Sequence, residues 1–343
     1  MIEPQYLPVL RIGLNDAVRK LILQLTATAF TVSLPAITLG YETDQFSNRD
    51  QPIADSTEVL NREVNLAIEE VVANWQSGHD EMAFVDAIYH RIGGLHWVDR
   101  LERWAIESPE VEKLDNSRYD SVFSGQPIWA VRVISVLGVG KTIRLNDQLV
   151  GSDKIGHFIS QGRKFYRRYV RSGSEEEAAK QSAYTERAIF GRLTTGSYSN
   201  ADLVANYEGH RFYRSLFEDG IIDGKTAILH WEDDRWTIQR EYDWADHVNA
   251  YWDEALNINH FDPWLYKHMH EVLVAMCPQY WEQPALHQVP DEELLKARYS
   301  HLQLRDTSEL RLDVLCPVQL FLDEQEDSVT TAGKSSRGVQ ASP

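Results

Sequence analysis

The chain has 343 residues, 43% of them hydrophobic and 10% aromatic, with ten tryptophans; this composition supports a folded core of one or two domains and excludes a disordered chain. A formal net charge of −18 excludes a general role in gripping nucleic acid, because phosphate binding needs clustered Lys and Arg. Two cysteines, Cys277 and Cys316, each followed by proline, are too few for a thiolate zinc framework, although they could close a disulfide in an oxidising compartment or remain two buried thiols.

From Leu21 to Gly40 the chain carries no charge, and Arg19 and Lys20 stand immediately before it. A basic segment followed by an apolar one reads as an export signal. Four Thr, a Ser, a Gln and Pro35 make it too polar for a spanning helix. Cleavage is expected before Tyr41, with Ser33–Ala36 as a second option and a buried helix of the folded protein as the alternative reading of the stretch; the first 17 residues lack the character of a signal, so translation is expected to begin at Val18. The mature protein is then periplasmic or secreted, with no transmembrane span.

Apolar residues at helical spacing predict helices over Asp55–Trp75, with Asp55 and Ser56 as N-cap candidates, then over Glu81–Ile92 and Trp97–Ile106. Between Gln126 and Leu149 β-branched runs flank a Gly-containing turn and predict a hairpin. The GVGKT within it is not a phosphate loop, since Ser135 stands where the pattern needs Gly and the residues after Thr142 alternate as in a strand. Helices follow over Asp153–Val170, Ser174–Gly191 and Ser199–Phe217, a second hairpin over Thr226–Tyr242 around the turn EDD, and helices over Trp244–Leu256 and Pro263–Met276. Residues 323–343 lack periodicity and read as a disordered tail. The expected fold is mainly α, a helical bundle with two short β-hairpins, occupying residues 41–322.

The chemistry concentrates between Asp153 and His210. Asp153 and His157 are four residues apart and share a helical face. Glu186 is a carboxylate among Ala, Ile and Phe neighbours, a setting suited to acid–base duty. Ser199, Asp202, Asn206 and His210 fall at three- and four-residue steps along one stripe of one helix, and polar groups on a stripe that ought to be core need partners. Arg163, Lys164, Arg167, Arg168 and Arg171 form a basic stripe that could meet a phosphate or lipid headgroup, or simply face water.

The order DKIGHF, a Glu on the next helix, a Gly-containing loop and S-x-x-D-L-x-x-N-x-x-G resembles the signature of VanZ-like proteins and the related YfiM-like envelope lipoproteins. The matching residues are Asp153, Lys154, His157, Phe158, Glu186, Ser199, Asp202, Leu203, Asn206 and Gly209, within about 60 residues of the chain. The resemblance implies an envelope protein with a polar core and transfers no reaction. The chain departs from it in three ways. Gln161, Arg163, Lys164, Arg167 and Arg168 exclude a bilayer helix, Ile189 stands where members often carry Gln, and no cysteine near residue 40 could take a lipid.

Two readings of the stripe remain open. In one, Asp153, His157, Glu186, Asp202 and His210 hold a divalent metal, or form an acid–base cluster with Glu186 as general base and His157 and Asp202 assisting. An envelope-directed hydrolase acting on a glycan or lipid-linked substrate would follow, with a Glu186–Asp202 glycosidase-like pair as a variant. In the other, the cluster is a buried hydrogen-bond network of a non-enzymatic envelope structural or assembly protein, with Ser199, Asn206 and Gly209 in structural roles. His268 and His270, two apart on a helix, cannot chelate one ion. His260 and Asp262 read as capping residues. Tyr251, Trp252, Trp264, Tyr266, Tyr280 and Trp281 could line a glycan-stacking groove or pack in the core.

Overall fold

A computed structural model describes residues 43–94, 98–126, 138–188 and 196–317; the expected signal, the first arm of the hairpin expected at 126–149, and the tail lie outside these. The fold is mainly helical, with short two-stranded antiparallel sheets, and the described residues belong to one compact unit, Thr38–Pro343.

Helices α1 (Thr57–Ala73), α2 (Glu81–Ile92) and α3 (Arg100–Glu107) follow the predicted order. α1 buries Leu60, Val64, Ala67 and Ile68 on one face, the i, i+4, i+7, i+8 stripe of a helix packed on one side. Asp80 caps α2 by accepting from the Ala83 amide. Ser56 occupies the N-cap of α1 without a side-chain bond, while Asp55 accepts from the Thr57 amide.

The first arm of the hairpin expected around the upstream glycine turn lies outside the described residues; a hairpin pairs β1 (Thr142–Leu145) with β2 (Gln148–Gly151) through the turn Asn146–Asp147. Both residues have positive φ, 49° and 59°, which a two-residue turn matching strand twist requires and which Asn and Asp tolerate best among residues with a side chain. The same solution recurs in the second hairpin, β4 (Leu229–Glu232) with β5 (Arg235–Ile238), where Asp233 and Asp234 turn at φ 50° and 58°.

The core of the fold is a pair of long helices. The first, α4, runs through three consecutive segments, Asp153–Gly156, His157–Gln161 and Gly162–Ser172, the middle one a π turn in which the Gly162 amide reaches back to the His157 carbonyl. After α5 (Glu175–Thr185), capped by Ser174, comes α6 (Asn200–Ser215), of which all residues but Arg214 are buried. α4 and α6 cross at Gly162 and Gly209. A Cβ on Gly162 would lie 2.6 Å from the Gly209 Cα, and one on Gly209 would collide with the Phe158 carbonyl oxygen. Side chains are excluded there, so the backbones touch.

The helix expected over Trp244–Leu256 is instead two 3₁₀ turns, Trp244–Asp246 and Ala250–Trp252. Asp243, Asn249 and Asp253 explain the difference, since each side chain accepts from the amide two residues on. Such local bonds give the backbone an alternative to the helical ladder. A third sheet, unforeseen, pairs β3 (Ser197–Tyr198) with β6 (His260–Phe261) and ties the entry of α6 to the chain just beyond these turns.

Asp262 stands at the N-cap of α7 (Pro263–Ala275), whereas His260 is a strand residue. Helices α8 (Cys277–Glu282), α9 (Glu292–Tyr299) and α10 (Leu312–Leu315) complete the chain. Cys277 and Cys316 are joined as a disulfide beside a second apolar cluster that includes Leu265, Met269 and Leu312. Among the aromatics considered for a groove, Tyr251 and Trp252 are core, Tyr266, Tyr280 and Trp281 pack against the second cluster, and Trp264 is exposed.

Candidate functional site

The first turn of α4 carries Asp153, Lys154 and His157 toward the first turns of α6. At the centre is Lys154, 1% exposed. Its ammonium stands 2.7 Å from one carboxylate oxygen each of Asp153, Asp202 and Glu254. Asp202 and His157 reach each other from the two helices, Nε2 to Oδ2 at 3.1 Å. On its other side His157 Nδ1 faces Asn206 Oδ1 at 3.1 Å, while the Asn206 amide group donates to Ser182 Oγ on α5. Both ring nitrogens of His157 thus face side-chain oxygens, one on each side.

Ser199 is the hinge of the cluster. Its hydroxyl accepts from the Asp202 amide as the N-cap of α6 and donates to Glu254 Oε1 at 3.0 Å. Its own amide points to Glu186 Oε1 at 3.4 Å. Glu186 is therefore on the periphery, one residue removed from the lysine. Thr43 and Gln45 extend the network on the Asp153 side.

A second tier of acids lies behind. Gly156, the glycine of DKIGHF, leaves room for Glu102, whose carboxylate a Cβ would strike. Asp99 accepts from the Gly94 amide and from Ser160 Oγ on α4. Burial pushes Glu102 well above the usual carboxylate range, and Asp153 and Asp99 push it further. Burial also lifts Asp99 and Asp153, each to about 6; Lys154 pulls Asp153 back down while Asp202 and Glu254 push it up. For Asp202 burial acts upward too, but His157 and Lys154 outweigh it and hold the group below its ordinary value. Burial would strip the proton from Lys154, yet its three carboxylates keep it firmly charged.

The structure thus brings together Asp153, His157, Asp202, Asn206 and Ser199 from the sequence-derived set, with Glu186 at the edge. It does not bring His210. Two turns farther along α6, about 12 Å from Asp202 at the helical rise, His210 stacks on Phe165 and faces Glu175 Oε1 at 3.3 Å, in a group completed by Arg214. Gly209 serves the helix crossing. Lys154 lies within the recognised motif but its spacing gave it no role, and Glu254 escaped notice altogether. The only sign of Glu254 was an acid set between Trp252 and Leu256, as Glu102 is set between Leu101 and Ala105.

One oxygen of Asp153, one of Asp202 and a His157 nitrogen lie within 4.8 Å of one another, a donor set suited in type to a divalent ion. The Lys154 ammonium holds oxygens of the same two carboxylates. Three described cavities, of about 350, 370 and 710 Å³, are lined by other residues. Of the basic stripe, Arg163 is engaged by Asp86 and lies over the Tyr89 ring at 4.3 Å, and Arg168 donates to Thr185.

Among the described residues, no helix is long and apolar enough to cross a membrane. Comparison with protein-family models, with curated proteins and with solved structures finds no match to the chain.

Proposed function

We propose that the chain is an exported, non-enzymatic structural or assembly protein of the cell envelope, in which the Lys154 cluster is a buried network that fixes the register of α4, α5 and α6. One observation carries this reading: the ammonium of Lys154 lies 2.7 Å from three carboxylates. The protein itself places a cation, one charge shared among the three acids, where a metal would stand, and His157 adds hydrogen bonds. A network whose members satisfy one another rigidifies a core. Export is supported by the basic pair Arg19-Lys20 ahead of the uncharged Leu21–Gly40 stretch and by the Cys277–Cys316 disulfide, a bond that persists in oxidising compartments. The VanZ-like order of residues points to the same location.

A second reading is favoured by the proximity of the Asp153, His157 and Asp202 donor atoms. It is a metal-assisted hydrolase directed at an envelope glycan or lipid-linked substrate, with Glu186, beside the Ser199 amide, as general base. Elemental analysis of the purified protein and of an Asp202→Asn variant separates the two. The network reading expects no stoichiometric metal in either protein. One equivalent of a divalent metal in the wild type, lost in the variant, would overturn it in favour of the hydrolase.

A further inference from the structure

A cavity of about 370 Å³ opens beside β3 and β6, its wall including Arg187, Gly196, Tyr198, His260, Asp262 and Arg305. Two guanidiniums face one concavity in a protein of net charge −18, whose overall field repels anions. Arg187 and Arg305 make no ion pair with any described residue, in contrast to Arg49, Arg163, Arg211, Arg214 and Arg311, each held by an acid. Arg305 is held in place another way. Its guanidinium lies over the Tyr198 ring, 5.6 Å from the centroid, and the Tyr198 hydroxyl is fixed by the Gln303 carbonyl. The two arginines come from chain segments far apart in sequence and line the same cavity, and guanidinium donors suit phosphate oxygens.

The geometry points to this cavity as a binding site for a phosphate ester. Arg187 and Arg305 take the phosphate oxygens, with His260 beside them. Asp262, on the same wall, stands at the N-cap of α7 without a side-chain capping bond. Its carboxylate is an acceptor for a hydroxyl on the same ligand, so the class is a phosphate ester carrying a free hydroxyl. The volume accommodates a group of headgroup size. Such a ligand comes from two sources, a small soluble phosphate ester or the headgroup of an anionic lipid.

The test uses the intact protein with two probes, glycerol 3-phosphate in titration calorimetry, and phosphatidylcholine vesicles with and without phosphatidylglycerol in sedimentation. The variants are Arg187→Gln/Arg305→Gln and, as a control of equal charge loss, Arg103→Gln/Arg235→Gln, both exposed and neither on the cavity wall; circular dichroism establishes that each is folded. Expected is saturable binding to at least one probe, weakened tenfold or more in the first variant and less than twofold in the control. Binding of glycerol 3-phosphate identifies a soluble ligand; binding of phosphatidylglycerol vesicles alone identifies a lipid. Binding to neither probe, or an equal loss in both variants, overturns the site.

Discussion

The Lys154 ammonium and the Glu254 carboxylate meet at 2.7 Å with both side chains almost wholly enclosed, joining the start of α4 to a turn residue that lies much later in the chain. Glu254 in turn accepts from the Ser199 cap of α6. Three segments remote in sequence are thereby fixed against one another through one carboxylate oxygen, Glu254 Oε1.

Replacing Lys154 with methionine leaves Asp153, Asp202 and Glu254 facing one another without their cation. Removing one partner of a buried ion group costs about 3–5 kcal/mol, and that loss is expected in urea unfolding followed by tryptophan fluorescence. Adding Asp153→Asn and Glu254→Gln to the same chain should restore at least half of the loss. A methionine variant within about 1 kcal/mol of wild type would mean that the cluster does not hold the core.

At the α4–α6 crossing, Gly209→Ala places a methyl group against the Phe158 carbonyl. Backbone cannot rotate aside as a side chain can, so the helices must separate. Overpacking of this kind costs about 1–3 kcal/mol or more, to be read as a lower urea midpoint with unchanged slope. A midpoint equal to wild type would show that the crossing tolerates separation.

The pH dependence of stability has a definite sign. Asp99 is raised from 3.8 to about 6, chiefly by burial, so the folded state holds its proton more tightly than the unfolded state does. Its contribution is complete below about pH 4 and is lost as pH rises through about 6, amounting to about 3 kcal/mol at 1.36 kcal/mol per unit. Asp99→Asn, which keeps an acceptor for the Gly94 amide and offers a donor to Ser160, should flatten that part of the stability curve. Chemical unfolding at intervals from pH 4 to pH 7 checks this, and an unchanged slope in the variant would assign the effect elsewhere. Glu175 acts in the opposite sense. Its hydrogen bond with His210, with Arg214 adding to it, holds it at about 2, so its contribution is lost as pH falls below about 4.5.

Much of the helical framework was legible because amphipathic spacing and caps speak locally. Glu81–Ile92 has the predicted bounds, and Ser174 and Ser199 cap as their positions imply. The DKIGHF and S-x-x-D-L-x-x-N patterns also placed Asp153, His157, Asp202 and Asn206 on faces that meet. What was not legible depends on contacts across the chain. Spacing gives no sign that Lys154 is the hub, since a lysine next to an aspartate usually points to water. Glu254 sat in a segment whose Asp and Asn side chains break the helix that its apolar pattern suggests. His210 has the same helical phase as the stripe but lies too far along the axis, a distance that periodicity alone ignores.

The π turn of α4 carries a consequence for how this protein can vary. In a regular helix, residues five apart point about 140° away from each other; the wider π turn lets His157 and Gly162 both face α6, one toward Asn206 and the other toward Gly209. The wider turn absorbs the extra residue and keeps a polar half of the helix in phase with a close-packed half. Deleting any single residue between 157 and 162 would put the two four apart, about 40° around a regular helix, so both would still face α6 and the π turn would close into an ordinary one; the halves tolerate the loss of that one residue.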